Sequence, residues 1–185
     1  MPPSFEEKLA MGREYELLVA GWLKRRGFLI LPVYDYSGLG ENKSPKLQAA
    51  NDADSLVVPD LLIAQAQKGT KWVEVKFKAR ADFTRKTQRM ETGIALRLWR
   101  HYHEVKAATG LPVWLMFCHA EEDEIRGAEI ADLASAVRVY DGRKMGRGGM
   151  AFFPVEALRR LARLSAIRGQ DAAHRDDSTP ARWEP

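Results

Sequence analysis

Residues 57–80, VVPDLLIAQAQKGTKWVEVKFKAR, read as two strands joined by a turn. Val57, Val58, Leu61, Leu62 and Ile63 form one apolar run. Gln67, Lys68, Gly69 and Thr70 supply turn chemistry, and Trp72, Val73, Val75 and Phe77 form the second run. Asp60, Glu74 and Lys76 interrupt these β-rich runs. Side chains alternate along a strand, so Glu74 and Lys76 leave one face of the sheet while Val73, Val75 and Phe77 point the other way, into a core. A hairpin closing near Gly69 brings Asp60 from the neighbouring strand into the same cleft. Two carboxylates and an ammonium on one sheet surface can hold a divalent metal and activate a water, or form an ion-pair network with no chemistry.

Upstream, Ser4 followed three residues later by Glu7 has capping-box spacing and predicts a helix from near Phe5 to Gly27. Lys24, Arg25 and Arg26 fall in its last turn, where the helix dipole favours cations. Leu9, Gly12, Glu16, Ala20 and Leu23 share one helical face. Glu16 is the odd member: it reaches solvent from the edge of the stripe, or a metal cluster beside the helix offsets the cost of its burial. Residues 28–33 predict a strand. The polar stretch 34–55 is longer than most connections. It carries Tyr34, Tyr36, Lys43 and Lys46, groups that could stack on bases or touch phosphates if it is more than a solvated loop. Asp52 and Asp54 sit in turn-like context and are assigned to the surface.

Downstream, cations cluster. Lys76, Lys78, Arg80, Arg85, Lys86 and Arg89 stand against one acid, Asp82. Cations just beyond a candidate metal site are placed to grip a phosphate backbone. A long helix is predicted over 91–108, with Ile94, Leu98, Tyr102 and Val105 as its buried stripe and Thr109-Gly110 closing it. Gln88, just before it, could hydrogen-bond substrate or water. His101 and His103 are two apart and point in different directions on a helix, which argues against zinc. Residues 111–119 read as a buried strand with Cys118 in the core. Residues 121–124 form an acidic turn, and 129–136 fit a short helix or an extended connection equally well. Short strands are expected at 137–140 and 150–153, around a basic glycine-rich loop without phosphate-loop spacing. Pro154 predicts a helix start, with Val155, Leu158, Leu161 and Ala162 as its apolar face. The expected organisation is one domain over 1–168 and a disordered or peripheral tail over 169–185.

The whole chain of 185 residues, 45% hydrophobic and 29% charged, has the composition of a soluble globular protein able to bury a core. No run approaches the roughly 18 apolar residues of a membrane span, and the first ten residues are too polar for a signal peptide. The single Cys118 excludes an internal disulfide and suits a reducing cytoplasm. A net charge of +4 leans modestly toward polyanionic partners.

A helix bearing Glu16, a strand, Pro59-Asp60, a turn, Glu74-Val75-Lys76 and a further helix, in that order, resemble the PD-(D/E)XK nuclease superfamily. Thirteen residues separate Asp60 from the Glu74-x-Lys76 triplet. Gly12 to Glu16, Gly-Arg-Glu-Tyr-Glu, is similar to the Gly-xxx-Glu of the first helix in archaeal Holliday-junction resolvases and related bacterial and phage nucleases. The resemblance covers residues 8 to 120; beyond Ala120 no family feature is recognised. It implies an α/β fold with an αβββαβ restriction-endonuclease-like core, a mixed central sheet flanked by helices. It also implies a nuclease that cleaves phosphodiesters with Mg²⁺ or Mn²⁺, and the first reading is a deoxyribonuclease acting as an endonuclease. Asp60, Glu74 and the Val75 carbonyl would be the metal ligands, Lys76 would position the attacking water, and Glu16 would hold a second metal or a metal-bound water. Junction resolvases are typically dimers, which allows a homodimer, although no dimer surface can be read in the sequence.

Two rivals accompany this reading. A catalytically inactive module could bind nucleic acid through Lys78, Arg80, Arg85, Lys86, Gln88 and Arg89 alone. A small-molecule metallohydrolase is disfavoured by the basic run and by the lack of a His-rich site. Sequence does not separate DNA from RNA.

Overall fold

In the computed structural model, which describes residues 4–33, 46–48, 55–142 and 148–176, the decisive hairpin lies inside a six-stranded sheet. Strands β1 (Leu29–Pro32), β4 (Leu61–Gln65), β5 (Gly69–Lys78), β8 (Val113–His119), β9 (Glu124–Glu129) and β12 (Arg159–Arg163) lie in that spatial order. Between them in sequence come β2 (Lys46–Gln48), β3 (Ser55–Val57), β6 (Asp82–Thr84), β7 (Arg89–Ala95), β10 (Arg138–Tyr140) and β11 (Met150–Pro154). β4 and β5 pair antiparallel from Leu61↔Val73 to Gln65↔Gly69, and Gly69 takes φ +68° where the turn enters β5. That left-handed backbone suits glycine. β5 and β8 run parallel, which makes the sheet mixed. The crossover joining them contains β6, β7 and helix α2 (Leu96–Thr109).

Two cores flank the sheet. On one face, Val73, Val75, Leu61 and Ile63 pack with Tyr15, Val19, Trp22 and Leu23 of helix α1 (Phe5–Arg25) and with Leu164 and Ile167 of helix α4 (Leu164–Asp176). On the other, Trp72, Leu115 and Phe117 pack with Trp99, Tyr102 and Val105 of α2 and with a second, antiparallel sheet in the order β10-β11-β7-β6. The short helix α3 (Ile130–Leu133) adds Ile130 and Leu133 to that core. Side-chain alternation along β5 builds both cores from one strand.

Helix α1 starts at the expected capping box: the Glu7 N–H donates to Ser4 Oγ at 3.1 Å and the Ser4 N–H donates to Glu7 Oε2 at 2.6 Å. Its buried stripe runs through Tyr15, Leu18, Val19, Trp22 and Leu23, with Leu9 exposed. The stripe is rotated from the expected one, and Glu16 and Ala20 fall at its half-buried rim.

Three expectations are corrected. The helix predicted over 91–108 starts at Leu96, because Arg89–Ala95 is a strand paired on both sides. Thr92 and Ile94 are β-branched, and a Cβ at Gly93 would stand 2.5 Å from the Ala151 carbonyl oxygen, so the close approach of the neighbouring strand β11 fixes this segment. Pro154 ends β11 instead of starting a helix; a 3₁₀ turn (Val155–Ala157) and β12 follow. Leu158 packs in one core and Leu161 against the other, which a single helical stripe does not do. The last helix begins at Leu164 and runs past Gly169 to Asp176, so the expected tail boundary falls inside it. In addition, Val57 belongs to β3, which pairs with β2, and the break at Val58-Pro59 separates it from β4.

Tyr34, Tyr36, Lys43, Asp52 and Asp54 lie outside the described residues, as do the side chain of Lys46 and residues 177–185. No helix among the described residues is long and apolar enough to cross a membrane.

Candidate active site

Asp60 stands one residue before β4, so the Leu61↔Val73 register places it opposite Glu74. Its backbone carbonyl accepts from the Val33 N–H at 3.0 Å, and its Oδ2 accepts from the Val75 N–H at 2.8 Å. Both carboxylates are buried, Asp60 at 3% and Glu74 at 1% exposure. Lys76, two residues along on the same face, pairs its Nζ with Glu74 Oε1 while its side chain remains 31% exposed. Glu74 Oε2 is buried and finds no hydrogen-bond partner among the described residues. The three ionisable residues read from the hairpin therefore converge.

Burial holds the Asp60 carboxyl well above the usual carboxylate range. The neighbouring charges of Glu74 and Glu16 push it further up, against the Lys76 ammonium and the Val75 N–H, which pull it down. Glu16, half-buried on α1, thus acts electrostatically on Asp60 from across the helix–sheet interface. A buried carboxylate pair with an orphaned oxygen matches the needs of a divalent cation, which takes hard oxygen donors and cancels their repulsion. Among the described residues no three His, Cys, Asp or Glu side chains close on one point. A cation held here would take its side-chain donors from the Asp60–Glu74 pair and keep several waters.

The basic residues are distributed beyond this pair. Lys78 continues the face of Glu74 and Lys76 and lies beside His119 in the β5–β8 register. Burial and the Lys76 charge lower its pKa. Arg80 and Arg89 make exposed ion pairs with Glu121 at 3.7 Å and Glu156 at 3.5 Å. Arg85 and Lys86 are exposed in the β6–β7 turn. Gln88 is in the same turn at φ +55°, with its side-chain amide donating to the Arg85 carbonyl at 2.7 Å. Cys118 is fully buried, and burial pushes its thiol up to about 12, so it is a core residue as expected.

Sequence reading missed the network that holds this hairpin. Glu91 accepts from Thr84 Oγ1 at 2.8 Å, from Thr87 Oγ1 at 3.0 Å and from the Arg138 guanidinium. The available signal was the alternation through Met90, Thr92 and Ile94, overshadowed by the helical pattern that follows. His119 was missed as well: it is buried, its Nε2 finds no partner among the described residues, and burial lowers its pKa.

No family model and no curated protein matches the chain. Among solved structures it is similar to Hjc, a Holliday junction resolvase of Archaeoglobus fulgidus, with a TM-score of 0.51 and 12% identity over 84% of this chain and 99% of that one. It is also similar to D212, a nuclease from a fusselovirus, with a TM-score of 0.47 and 11% identity over 94% of this chain and 98% of that one. At such identity the likeness to Hjc shows the fold. The chain has a mixed α/β architecture of the restriction-endonuclease-like type, its mixed central sheet flanked by helices.

Proposed function

We propose that this chain is a metal-dependent nuclease of the PD-(D/E)XK type that hydrolyses DNA phosphodiester bonds endonucleolytically. The observation that carries the reading is the buried Asp60–Glu74 pair, with Glu74 Oε2 unpartnered among the described residues and Lys76 alongside. Asp60, Glu74 and the Val75 carbonyl would hold Mg²⁺ or Mn²⁺, with Glu16 beside them for a second ion or its water. The ion, when bound, supplies positive charge to the phosphate and lowers the pKa of a bound water. The Val75 N–H fixes the Asp60 carboxylate in place. The Lys76 ammonium, partly exposed at the mouth of the site, hydrogen-bonds the attacking water and offsets charge building on the phosphate oxygens. Lys78, Arg80, Arg85, Lys86, Gln88 and Arg89 hold the backbone on either side. The fold likeness to a junction resolvase supports DNA as the substrate class, with branched DNA first among the candidates.

The test is a cleavage panel with Mg²⁺ or Mn²⁺. It comprises closed circular duplex, linear duplex, single strands, four-way junctions and RNA, with wild type beside Glu74→Ala. Cutting of the circle, lost in the variant, is the expected result. The pairing of Lys76 with Glu74 also suits a catalytically silent nucleic-acid-binding module, because it neutralises one carboxylate without a metal. Salt-sensitive binding that survives Asp60→Ala, with no cleavage by wild type under either ion, would establish that alternative.

A further inference from the structure

We propose that the β6–β7 hairpin is a stacking platform for unpaired bases, so that the chain engages DNA containing a single-stranded or branched segment. The identity of the polyanion rests on the nuclease reading; the platform rests on the following geometry.

Phe83 and Met90 are directly opposite each other in the β6–β7 register and are 57% and 40% exposed. Alternation puts Met90 on the same face of β7 as Thr92 and Ile94, which are buried. The Phe83–Met90 pair continues that face past the edge of the core, where both side chains stay exposed. The hairpin carrying it is locked. Its turn closes through Gln88 N–H to the Thr84 carbonyl at 2.8 Å, and buried Glu91 ties Thr84, Thr87 and Arg138 together behind it. A locked hairpin presents an aromatic ring at low entropic cost.

The surroundings select the occupant. Arg85 and Lys86 are exposed in the turn beyond the apolar pair, Arg89 leaves the opposite face of β7 paired with Glu156, and Asp82 is the exposed acid on the hairpin. An aromatic face beside several cations matches a phosphate chain with bases turned out of the stack. Paired bases keep their faces inside the helix and offer none to Phe83. Phe83 is seven positions after Lys76, on β6 of the second sheet, so the chain places the platform within about 25 Å of Lys76. A strand leaving the site would meet it.

The test measures binding in EDTA, so that no cleavage is required. Fluorescence anisotropy compares forked DNA with a fully paired duplex of equal length, for wild type, Phe83→Ala, Phe83→Trp and Met90→Ala. Phe83→Ala should weaken forked DNA on the order of tenfold and leave the duplex within about twofold. Phe83→Trp should retain fork binding, and 2-aminopurine at the fork should change its fluorescence with wild type and Phe83→Trp but not with Phe83→Ala. Equal losses on both DNAs, or no loss on the fork, would overturn the platform. So would a Phe83→Ala protein that changes from dimer to monomer in sedimentation while its fork affinity holds, because the pair would then be a protein interface. A wild type that shows the expected Phe83 dependence yet cuts nothing in the cleavage panel would support the platform and remove the nuclease reading alone.

Discussion

Asp60 is nearly inaccessible to water, faces Glu74 across the β4–β5 register and is held well above the usual carboxylate range, first by burial and then by the Glu74 charge. A carboxyl whose pKa is raised in the folded state favours folding at low pH, and that contribution is lost as pH rises through the folded pKa. Above the unfolded carboxylate pKa, without a cation, the buried Asp60 carboxyl therefore opposes the fold that holds it. Asp60→Asn keeps an oxygen to accept from the Val75 N–H and removes the charge. In EDTA the variant should be more stable than wild type by roughly 0.5–2 kcal/mol in urea denaturation. Millimolar Mg²⁺ should raise the midpoint of wild type and not that of Asp60→Asn, since a ligand stabilises only the state that binds it. A variant less stable than wild type in EDTA would show that the carboxylate is structural. Asp60, Glu74 and Lys76 were legible from the sequence because two-residue alternation and one turn glycine suffice to bring them together. Glu16 was less so. Leu9 and Gly12 suggested a stripe through Glu16, whereas the larger Tyr15, Leu18 and Trp22 draw the buried face around the helix and leave Glu16 at its rim.

Among the elements, the β6–β7 hairpin depends on one carboxylate. Hydrogen bonds, first from Arg138 and then from Thr84 and Thr87, hold the Glu91 carboxyl below its usual range against the opposing effect of burial. A depressed folded pKa means that the Glu91 contribution is present above the unfolded carboxylate pKa and is lost as pH falls through the folded one. Glu91→Gln should cost about 1–2 kcal/mol at neutral pH and flatten the acid limb of stability against pH. Hydrogen exchange should show the loss concentrated at residues 82–95. An unchanged acid limb would mean that other carboxylates carry it. The hairpin was not legible because residues 91–108 hold one strand and one helix in uninterrupted sequence, with no cap between them: Ala95 at the N-cap makes no side-chain hydrogen bond. The start of α1 was legible for the opposite reason, as Ser4 and Glu7 write the cap into the chain. Pro154 misled because a proline that suits a helix start also suits the end of a strand, and only burial on two opposite faces distinguishes the outcomes.

For the molecule as a whole, a net charge of +4 is small, and its effect on a polyanion depends on which cations are available. Arg80 and Arg89 are engaged with Glu121 and Glu156, and Lys76 with Glu74, whereas Arg85 and Lys86 make no ion pair among the described residues. Exposed ion pairs are weak, but a cation must still leave its carboxylate to meet a phosphate. Release of condensed counterions makes the logarithm of DNA affinity fall linearly with the logarithm of salt, by about 0.7–0.9 per phosphate neutralised. The Arg85→Ala, Lys86→Ala double variant should therefore flatten that slope by roughly 1.5, and Arg80→Ala by less than half as much. Binding titrations in EDTA between about 50 and 200 mM salt measure both slopes on a single DNA. If the double variant keeps the wild-type slope, the phosphates are held by some other surface, and the stretch from Lys76 to Arg89 is an ordinary solvated charge run. If Arg80→Ala flattens it as much as the double variant, the engaged arginines release their acids on binding, and the grip extends from the tip of the hairpin to its root beside the carboxylates.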